Sequence, residues 1–245
     1  MMTPMNSQIS EIVSCFNEQE TIEACVKSIH LALPEAEILV VDGGHDQTFE
    51  IASALIPEIP RLRVVRNLDD RGKGHAIREG CRLASGPIIA QFDADLQFFA
   101  EDLPHLIEPL LAQKCDLCVG SRFLPSADRA AYQPMFFRDL GNRLLSSLLS
   151  LLSGHRLTDV TTGMKAWTRE AGERIDFTDD RYSYEAEIVL KAARRGLRIL
   201  EVPVKYASRT HGQSMHQSNF ALIRAGTVIA LKSIGWRLRE GRRSS

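Results

Sequence analysis

The chain has 245 residues, a formal net charge of −1 and a hydrophobic content of 44%. These values exclude an intrinsically disordered chain, which would have few apolar residues, and a strongly basic nucleic-acid-binding protein. Since domains hold roughly 150 residues, the length fits one α/β domain with a short additional segment.

No targeting or membrane-spanning segment is expected. The first ten residues lack the basic and apolar regions of a signal peptide. No stretch offers the roughly 20 mostly apolar residues of a spanning helix. The five cysteines are an odd number and give no disulfide framework. We therefore expect a cytoplasmic location, with peripheral contact to the cytoplasmic face of the membrane as a further option.

Up to residue 120, short β-branched runs alternate with longer segments of helical character. This pattern predicts a parallel sheet covered by helices. The predicted strands are residues 9–14, 36–41, 62–66, 88–92 and 116–120. The predicted helices between them are residues 20–33, 48–55, 75–84 and 102–112.

The second half of the chain is less regular. Residues 122–139 contain Pro and Arg and are predicted to form a loop over a site. Helices are predicted at 140–153 and 185–195, a strand at 198–206 and a C-terminal helix at 218–239.

An acidic run, Asp93-Ala94-Asp95-Leu96-Gln97, follows the fourth predicted strand. Ligands of parallel α/β sheets bind at the carboxyl ends of strands, so both carboxylates are expected at a site. Two hard oxygen donors this close together suit one Mg²⁺ or Mn²⁺ that also binds substrate phosphates. An acidic loop that caps the next helix has the same pattern, and the spacing alone does not separate the two interpretations.

Further motifs stand in order along the chain. They are Asn17-Glu18, Val41-Asp42, Gly72-Lys73-Gly74, Gly120-Ser121-Arg122, Asp159-Val160-Thr161-Thr162-Gly163, and Arg209 with Gly212-Gln213-Ser214. Each alone is weak, but together with the acidic run they resemble glycosyltransferase family 2, from about residue 11 to residue 215. Within that family the chain is most similar to the dolichyl-phosphate mannose synthase branch of polyprenyl-phosphate glycosyltransferases.

The resemblance implies the GT-A fold, an α/β fold with a Rossmann-like, mostly parallel sheet flanked by helices. It implies a metal-dependent, inverting glycosyltransferase that uses Mg²⁺ or Mn²⁺. The donor would be GDP-mannose or a UDP-hexose, and the acceptor a polyprenyl or dolichyl phosphate at the cytoplasmic membrane face; no nucleic acid is expected as a partner. Residues 1–217 would form the GT-A domain, and residues 218–245 a C-terminal helix and basic tail that contacts the membrane surface.

The resemblance also assigns site residues. The metal ligands would be Asp93, Asp95 and Gln97. The donor site would contain Ser14, Phe16, Glu18, Asp42, Gly43, Lys73, Asp93, Ala94, Arg122 and Arg209. The catalytic residues would be Asp95, Arg122, Asp159 and Glu185. Among these, Arg122 would clamp the departing diphosphate through two hydrogen bonds, and Asp159 would order the acceptor loop.

Four positions depart from the family pattern. The family has two adjacent Asp residues after the second strand, the second of which recognises the base, and Gly43 stands in that second place. The sequence therefore leaves the base open. Phe16 replaces a Tyr near the base, and Ser14 replaces a Pro. Met215 replaces the Lys of Gly-x-Ser-Lys, so that phosphate contact is either missing or supplied by another residue, such as His211 or His216.

The acceptor decides whether a protein base is needed. A lipid phosphate needs none, because its second pKa of about 6 leaves an ionised oxygen at neutral pH. A sugar hydroxyl needs one, and Glu185 and Glu187 are the nearest candidates along the chain. Glu185 is equally explained as a carboxylate that stabilises the start of a helix.

Two features favour a lipid acceptor. Residues 144–153 are uncharged and rich in Leu, and residues 218–245 combine apolar side chains with several Arg. Such segments can lie on an anionic membrane surface. A core helix followed by a solvated tail is the alternative.

Four other functions stay open. A glycosyltransferase that acts on a soluble or saccharide hydroxyl would share the same motifs. A nucleotidyltransferase would carry a Gly-rich phosphate loop after the first strand, where Phe16-Asn17-Glu18 stand. A phosphatase would use Asp93 as its nucleophile, but the motif falls late in the chain. A catalytically inactive membrane-surface protein of the same fold would fit Gly43 and Met215.

Overall fold

A computed structural model describes residues 8–209 and 219–243. Within them the chain forms seven strands in one sheet: β1 (Ile9–Cys15), β2 (Glu37–Asp42), β3 (Leu62–Arg66), β4 (Ile88–Asp93), β5 (Leu117–Ser121), β6 (Lys165–Thr168) and β7 (Ile199–Pro203). Their order across the sheet is β3-β2-β1-β4-β6-β5-β7. Strand β6 runs antiparallel to its neighbours β4 and β5, whereas the other adjacent pairs are parallel.

Helices cover both faces of this sheet. They are α1 (Ile22–Ala32), α2 (Thr48–Ala54), α3 (Lys73–Leu83), α4 (Leu103–Leu111), α5 (Phe136–Ser153), α6 (Arg169–Ile175), α7 (Tyr184–Arg194) and α8 (Asn219–Arg243). Successive strand residues point to opposite faces. Val13 therefore belongs to a buried cluster that includes residues of α1, α2 and α4, and Ile12 to a cluster that includes residues of α3 and α5–α8. Because both faces are covered, all six residues of β2 are buried.

The predicted alternation of strands and helices is confirmed, with shifts at the ends. Helix α5 begins at Phe136, so the predicted loop at 122–139 ends sooner than expected. Helix α1 begins at Ile22 rather than at residue 20. Strand β6 and helix α6 were not predicted. Strand β6 has only four residues and begins with a Lys, so it is too short to show a hydrophobic period. It forms by pairing with β4 and β5.

Helix α8 packs against α5 and α7. Its Ile229 is buried in the same cluster as Ile12, whereas Phe220 and Leu231 are exposed. None of the helices in the described ranges is both long and apolar enough to cross a bilayer. The predicted domain boundary at residue 217 lies outside the described residues, so that division stays a prediction.

Candidate active site

The acidic run forms a turn at the carboxyl end of β4. Asp93 ends the strand, and the backbone of Leu96 has a φ of 57°. This left-handed conformation is uncommon for a residue other than glycine. The Asp95 carboxylate accepts a hydrogen bond from the Gln97 backbone N at 3.2 Å. Gln97 Nε2 donates to the Ala207 carbonyl oxygen at 3.2 Å, so its amide oxygen is the atom available to a ligand.

Lys73, the first residue of α3, joins two carboxylates. Its Nζ lies 2.7 Å from Asp93 Oδ1 and 2.8 Å from Glu185 Oε1. Burial opposes the charge on Lys73, but attraction to both carboxylates outweighs it and raises its pKa well above the ordinary value. Burial also raises the pKa of Glu185, and Lys73 offsets part of that effect. The three groups form one electrostatic unit between β4, α3 and α7.

Arg209 forms a second bridge. Its Nη2 lies 3.1 Å from Asp95 Oδ2 and 3.1 Å from Glu18 Oε1. Burial and the neighbouring Asp93 raise the pKa of Asp95, although Arg209 opposes this shift. Arg209 thus connects the turn after β4 with the loop after β1.

Arg122 and Asp159 form a buried, two-point ion pair. Arg122 Nε lies 2.6 Å from Oδ2 of Asp159, and Arg122 Nη2 lies 2.8 Å from Oδ1. Burial opposes the charge on Arg122, but Asp159 outweighs it and raises the pKa of the guanidinium. The guanidinium also lies over the Tyr206 ring, 5.0 Å from its centroid. Since Asp159 uses two of its donors, Arg122 has mainly Nη1 left for another ligand.

The two glutamates at the start of α7 differ in their surroundings. Glu187 accepts hydrogen bonds from the backbone N of Thr178 at 3.1 Å and of Asp179 at 2.8 Å. It also pairs with Lys191 at 2.7 Å. Glu187 therefore holds the loop before α7, and of the two candidate bases Glu185 is the one that contacts Lys73, which in turn contacts Asp93.

The other residues expected at the donor site lie at the carboxyl ends of β1, β2 and β4 or on the loops that follow these strands. Ser14 is in register with Asp93 of β4, and Ala94 is buried next to it. Phe16 is 52% exposed, and its ring lies 6.0 Å from that of His45. Asp42 is fully buried; its Oδ1 accepts a hydrogen bond from the Gly44 N at 2.9 Å.

Burial raises the pKa of Asp42. Its Oδ2 has no hydrogen-bond partner among the described residues. The backbone N of Gly43 donates to the Cys15 carbonyl oxygen at 3.0 Å, which holds the loops after β1 and β2 together.

A cavity of about 580 Å³ joins most of these groups to an apolar trough. Its polar end is lined by Lys73, Asp93, Asp95, Gln97, Arg122, Glu185 and Arg209. Its apolar end lies between α5 and α8 and is lined by Leu140, Leu144, Leu145, Leu148, Leu222, Ile223 and Ile229. Asp159 lies behind Arg122. A second, open groove is lined by Asn17, Glu18, Gln19, Glu20, His45 and Asp46.

Sequence reasoning missed Lys165. It is fully buried in β6, and its Nζ donates to the Thr162 carbonyl oxygen. Burial lowers the pKa of Lys165 to about 8, although Glu185 and Asp159 oppose the shift. A charged residue at the start of the short run Lys165–Thr168 is the sequence feature that could have marked it.

Gly212, Gln213, Ser214 and Met215 lie outside the described residues. In the part of the chain that the structure describes, no group of three or more His, Cys, Asp or Glu side chains is arranged to hold a metal ion.

Comparison with known proteins identifies the family. Residues 10–175 match the model of glycosyl transferase family 2. The uncharacterized protein MJ1222 of Methanocaldococcus jannaschii is 33% identical over 218 residues, which is 84% of this chain and 87% of that protein. The undecaprenyl-phosphate mannosyltransferase of Micrococcus luteus is 28% identical over 214 residues, which is 84% of this chain and 86% of that protein.

A solved structure shows the same fold. Glucosyl-3-phosphoglycerate synthase from Mycobacterium tuberculosis, in complex with Mn²⁺, UDP-glucose and phosphoglyceric acid, superposes with a TM-score of 0.73 at 24% identity. The match covers 93% of this chain and 80% of that one. The predicted GT-A fold is confirmed. The family match extends from β1 through α6, and this chain therefore belongs to glycosyltransferase family 2 and is a glycosyltransferase.

Proposed function

We propose that this enzyme transfers a hexose from a nucleoside-diphosphate sugar to a polyprenyl phosphate at the cytoplasmic face of the membrane. The observation that carries the proposal is the cavity, whose charged end continues directly into an apolar trough between α5 and α8. A polyprenyl phosphate has the same two parts, a charged phosphate and an apolar chain. The relative from Micrococcus luteus is named for such an acceptor.

The residues of the acidic turn fit a divalent cation. Asp93, Asp95 and Gln97 offer two carboxylates and one amide oxygen, the hard donors that Mg²⁺ and Mn²⁺ prefer. Burial and, to a smaller extent, repulsion by Asp93 raise the pKa of Asp95, and a cation between the two carboxylates would relieve this repulsion. When bound, the metal would neutralise charge on the departing nucleoside diphosphate.

The protein's own cations would hold the phosphates. Lys73 and Arg209 each bridge two carboxylates, and phosphate oxygens would compete for their N–H donors. Arg122 would contribute its Nη1 group rather than the two-point clamp, because Nε and Nη2 already donate to Asp159 and Thr161.

An ionised oxygen of the acceptor phosphate would attack the anomeric carbon as the bond to the nucleoside diphosphate breaks, with inversion. No proton has to be removed, since this oxygen is ionised at neutral pH. Glu185 would then fix the position of Lys73. With a saccharide hydroxyl as acceptor, Glu185 would instead have to act as the base.

Gly163 offers a test of the metal assignment. A β-carbon at residue 163 would overlap the Asp93 carboxylate. We expect Gly163→Ala to displace that carboxylate and to weaken Mn²⁺ binding roughly tenfold or more, as measured by calorimetry with the nucleoside diphosphate present. Gly235→Ala is the control, because nothing lies within 4 Å of a β-carbon there. Unchanged Mn²⁺ affinity in Gly163→Ala would argue against Asp93 as a ligand.

The acceptor can be tested directly. We expect glycosyl transfer from GDP-mannose or UDP-glucose to undecaprenyl phosphate in vesicles, and none to free saccharides or phosphoglyceric acid. Because Leu144 and Ile223 line the trough and are exposed, Leu144→Ser with Ile223→Ser should change the fold little. The pair should lower kcat/KM for the lipid roughly 10- to 100-fold through lost apolar contact.

Leu31→Ser is the control for this pair, since Leu31 is also an exposed apolar side chain but lies on α1, on the other face of the sheet. The affinity for the nucleoside diphosphate should not change in any of these variants. Transfer to saccharides alone, or equal lipid activity in the double variant, would contradict the proposed acceptor.

A further inference from the structure

The side chain of Asp70 occupies the space that a side chain at residue 43 would need. A β-carbon built on Gly43 would lie 2.5 Å from Cγ and 2.7 Å from Cβ of Asp70. Any side chain at residue 43 would therefore overlap the carboxyl group of Asp70. We propose that Asp70 recognises the nucleobase of the donor from this position. The inference rests on the proposed nucleoside-diphosphate donor and names the residue that selects it.

Asp70 is held in place by the segment that follows β3. Asn67 Nδ2 donates to Asp70 Oδ1 at 2.9 Å. The backbone N of Asn67 in turn donates to the Asp42 carbonyl oxygen at 2.7 Å, which ties this segment to the end of β2. Asp70 is partly exposed, and its Oδ2 accepts no hydrogen bond from the described residues. One carboxylate oxygen is thus fixed and the other is available.

The surroundings of Asp70 suit a flat heterocycle. A hydrogen bond from the Gly43 backbone N to the Cys15 carbonyl oxygen holds the loop after β1 against Gly43, and the residue after Cys15 on that loop is Phe16, whose ring is exposed. An aromatic ring stacks on the face of a base, whereas a carboxylate meets its edge. Asp42, beside Gly43, adds a second carboxylate oxygen, buried and without a donor among the described residues.

An ionised carboxylate only accepts hydrogen bonds. Guanine and uracil carry a ring N–H on the base-pairing edge, whereas adenine and cytosine carry an unprotonated ring nitrogen there. Asp70 would therefore favour a guanosine or uridine diphosphate sugar, whose ring N–H donates to the carboxylate, over the other two, whose ring nitrogen turns a lone pair toward it and leaves only the amino group to donate. A site built to bond one donor rejects analogues that lack it, because its own polar group is left unpaired.

The test is calorimetric titration of GDP, UDP, ADP and CDP with Mn²⁺ on the full chain. We expect the wild type to bind GDP or UDP at least roughly tenfold more tightly than ADP and CDP. Asp70→Asn should remove most of this preference and leave the weaker affinity for ADP and CDP unchanged. Asp69→Asn is the matched control, because Asp69 is the adjacent, exposed carboxylate and should change nothing.

Moving the carboxylate from residue 70 to residue 43 tests whether the two positions share one space. Asp70→Gly should lose the preference, and Gly43→Asp added to Asp70→Gly should restore it, because a carboxylate then enters the same space from residue 43. Thermal melts of each variant report whether the fold persists.

Binding by the wild type without base preference, or a preference that survives in Asp70→Asn, would overturn the role of Asp70 and leave the donor site intact. Failure of the wild type to bind any of the four nucleotides would overturn the proposed donor as well.

Discussion

Replacing Asp159 by Asn is expected to lower the free energy of unfolding by about 3–5 kcal/mol, because Arg122 would then be buried without a counter-ion. The two side chains are only 6% and 0% exposed, and two hydrogen bonds of 2.6 and 2.8 Å join them. Chemical denaturation at pH 7 measures the loss. Activity should fall too, because Asp159 belongs to the same loop as Gly163, which lies against Asp93.

A second Arg–Asp pair of the same geometry provides the control. Arg198 and Asp116 are joined by hydrogen bonds of 3.1 and 2.7 Å, but their side chains are 57% and 23% exposed. Asp116→Asn should therefore cost less than about 1 kcal/mol, because water screens this pair. Equal losses in the two variants would contradict the importance that we assign to the burial of Arg122.

Most of the fold could be predicted because its elements are local in sequence. In β1 to β5 and the helices between them, the spacing of apolar residues and the turn residues at the ends are visible in each segment alone. Strand β6 could not be found in this way. Its four residues gain their conformation from pairing with distant strands, with Ala166 opposite Ala90 of β4 and Cys118 of β5. Helix α6, which follows β6 directly, was not predicted either.

The carboxylates of the site could be predicted because parallel strands end at one edge of the sheet. The contacts between elements could not. The bridge from Asp93 through Lys73 to Glu185 brings together three segments that are far apart in the chain. From the sequence it could be said that Glu185 and Glu187 face different sides of the helix, because residues two apart on a helix do not face the same side. Which of the two faces Lys73 could not be said.

The overlap of Asp70 with Gly43 had no sequence signature at all. The departure at Gly43 showed that a side chain was absent, but it could not show which residue filled the space.

Glu11 should make the protein less stable as the pH rises. It lies fully buried in β1, and neither carboxylate oxygen has a hydrogen-bond partner among the described residues. Burial raises its pKa well above the ordinary value. Below about pH 4.3 the carboxyl is protonated in both states. Above it the unfolded chain loses the proton first, so stability falls by up to about 1.4 kcal/mol per pH unit until the native carboxyl ionises.

We expect Glu11→Met, an apolar replacement of similar size, to be more stable than the wild type by a margin that grows between pH 5 and 7. Denaturant titrations at several pH values measure this margin. A margin that is constant over this range would show that Glu11 is already ionised in the native protein.

Glu37 on the adjacent strand β2 should show the opposite dependence and serves as the control. Its carboxylate accepts hydrogen bonds from Ser10, Ser85 and Arg63. Burial alone would raise the pKa of Glu37, but these hydrogen bonds outweigh it and lower the pKa to about 2. Its contribution is therefore present above about pH 4.3 and is lost as the pH falls toward 2. Glu37→Gln should be less stable than the wild type at pH 7, and this difference should shrink in acid, whereas the Glu11→Met difference grows toward neutral pH.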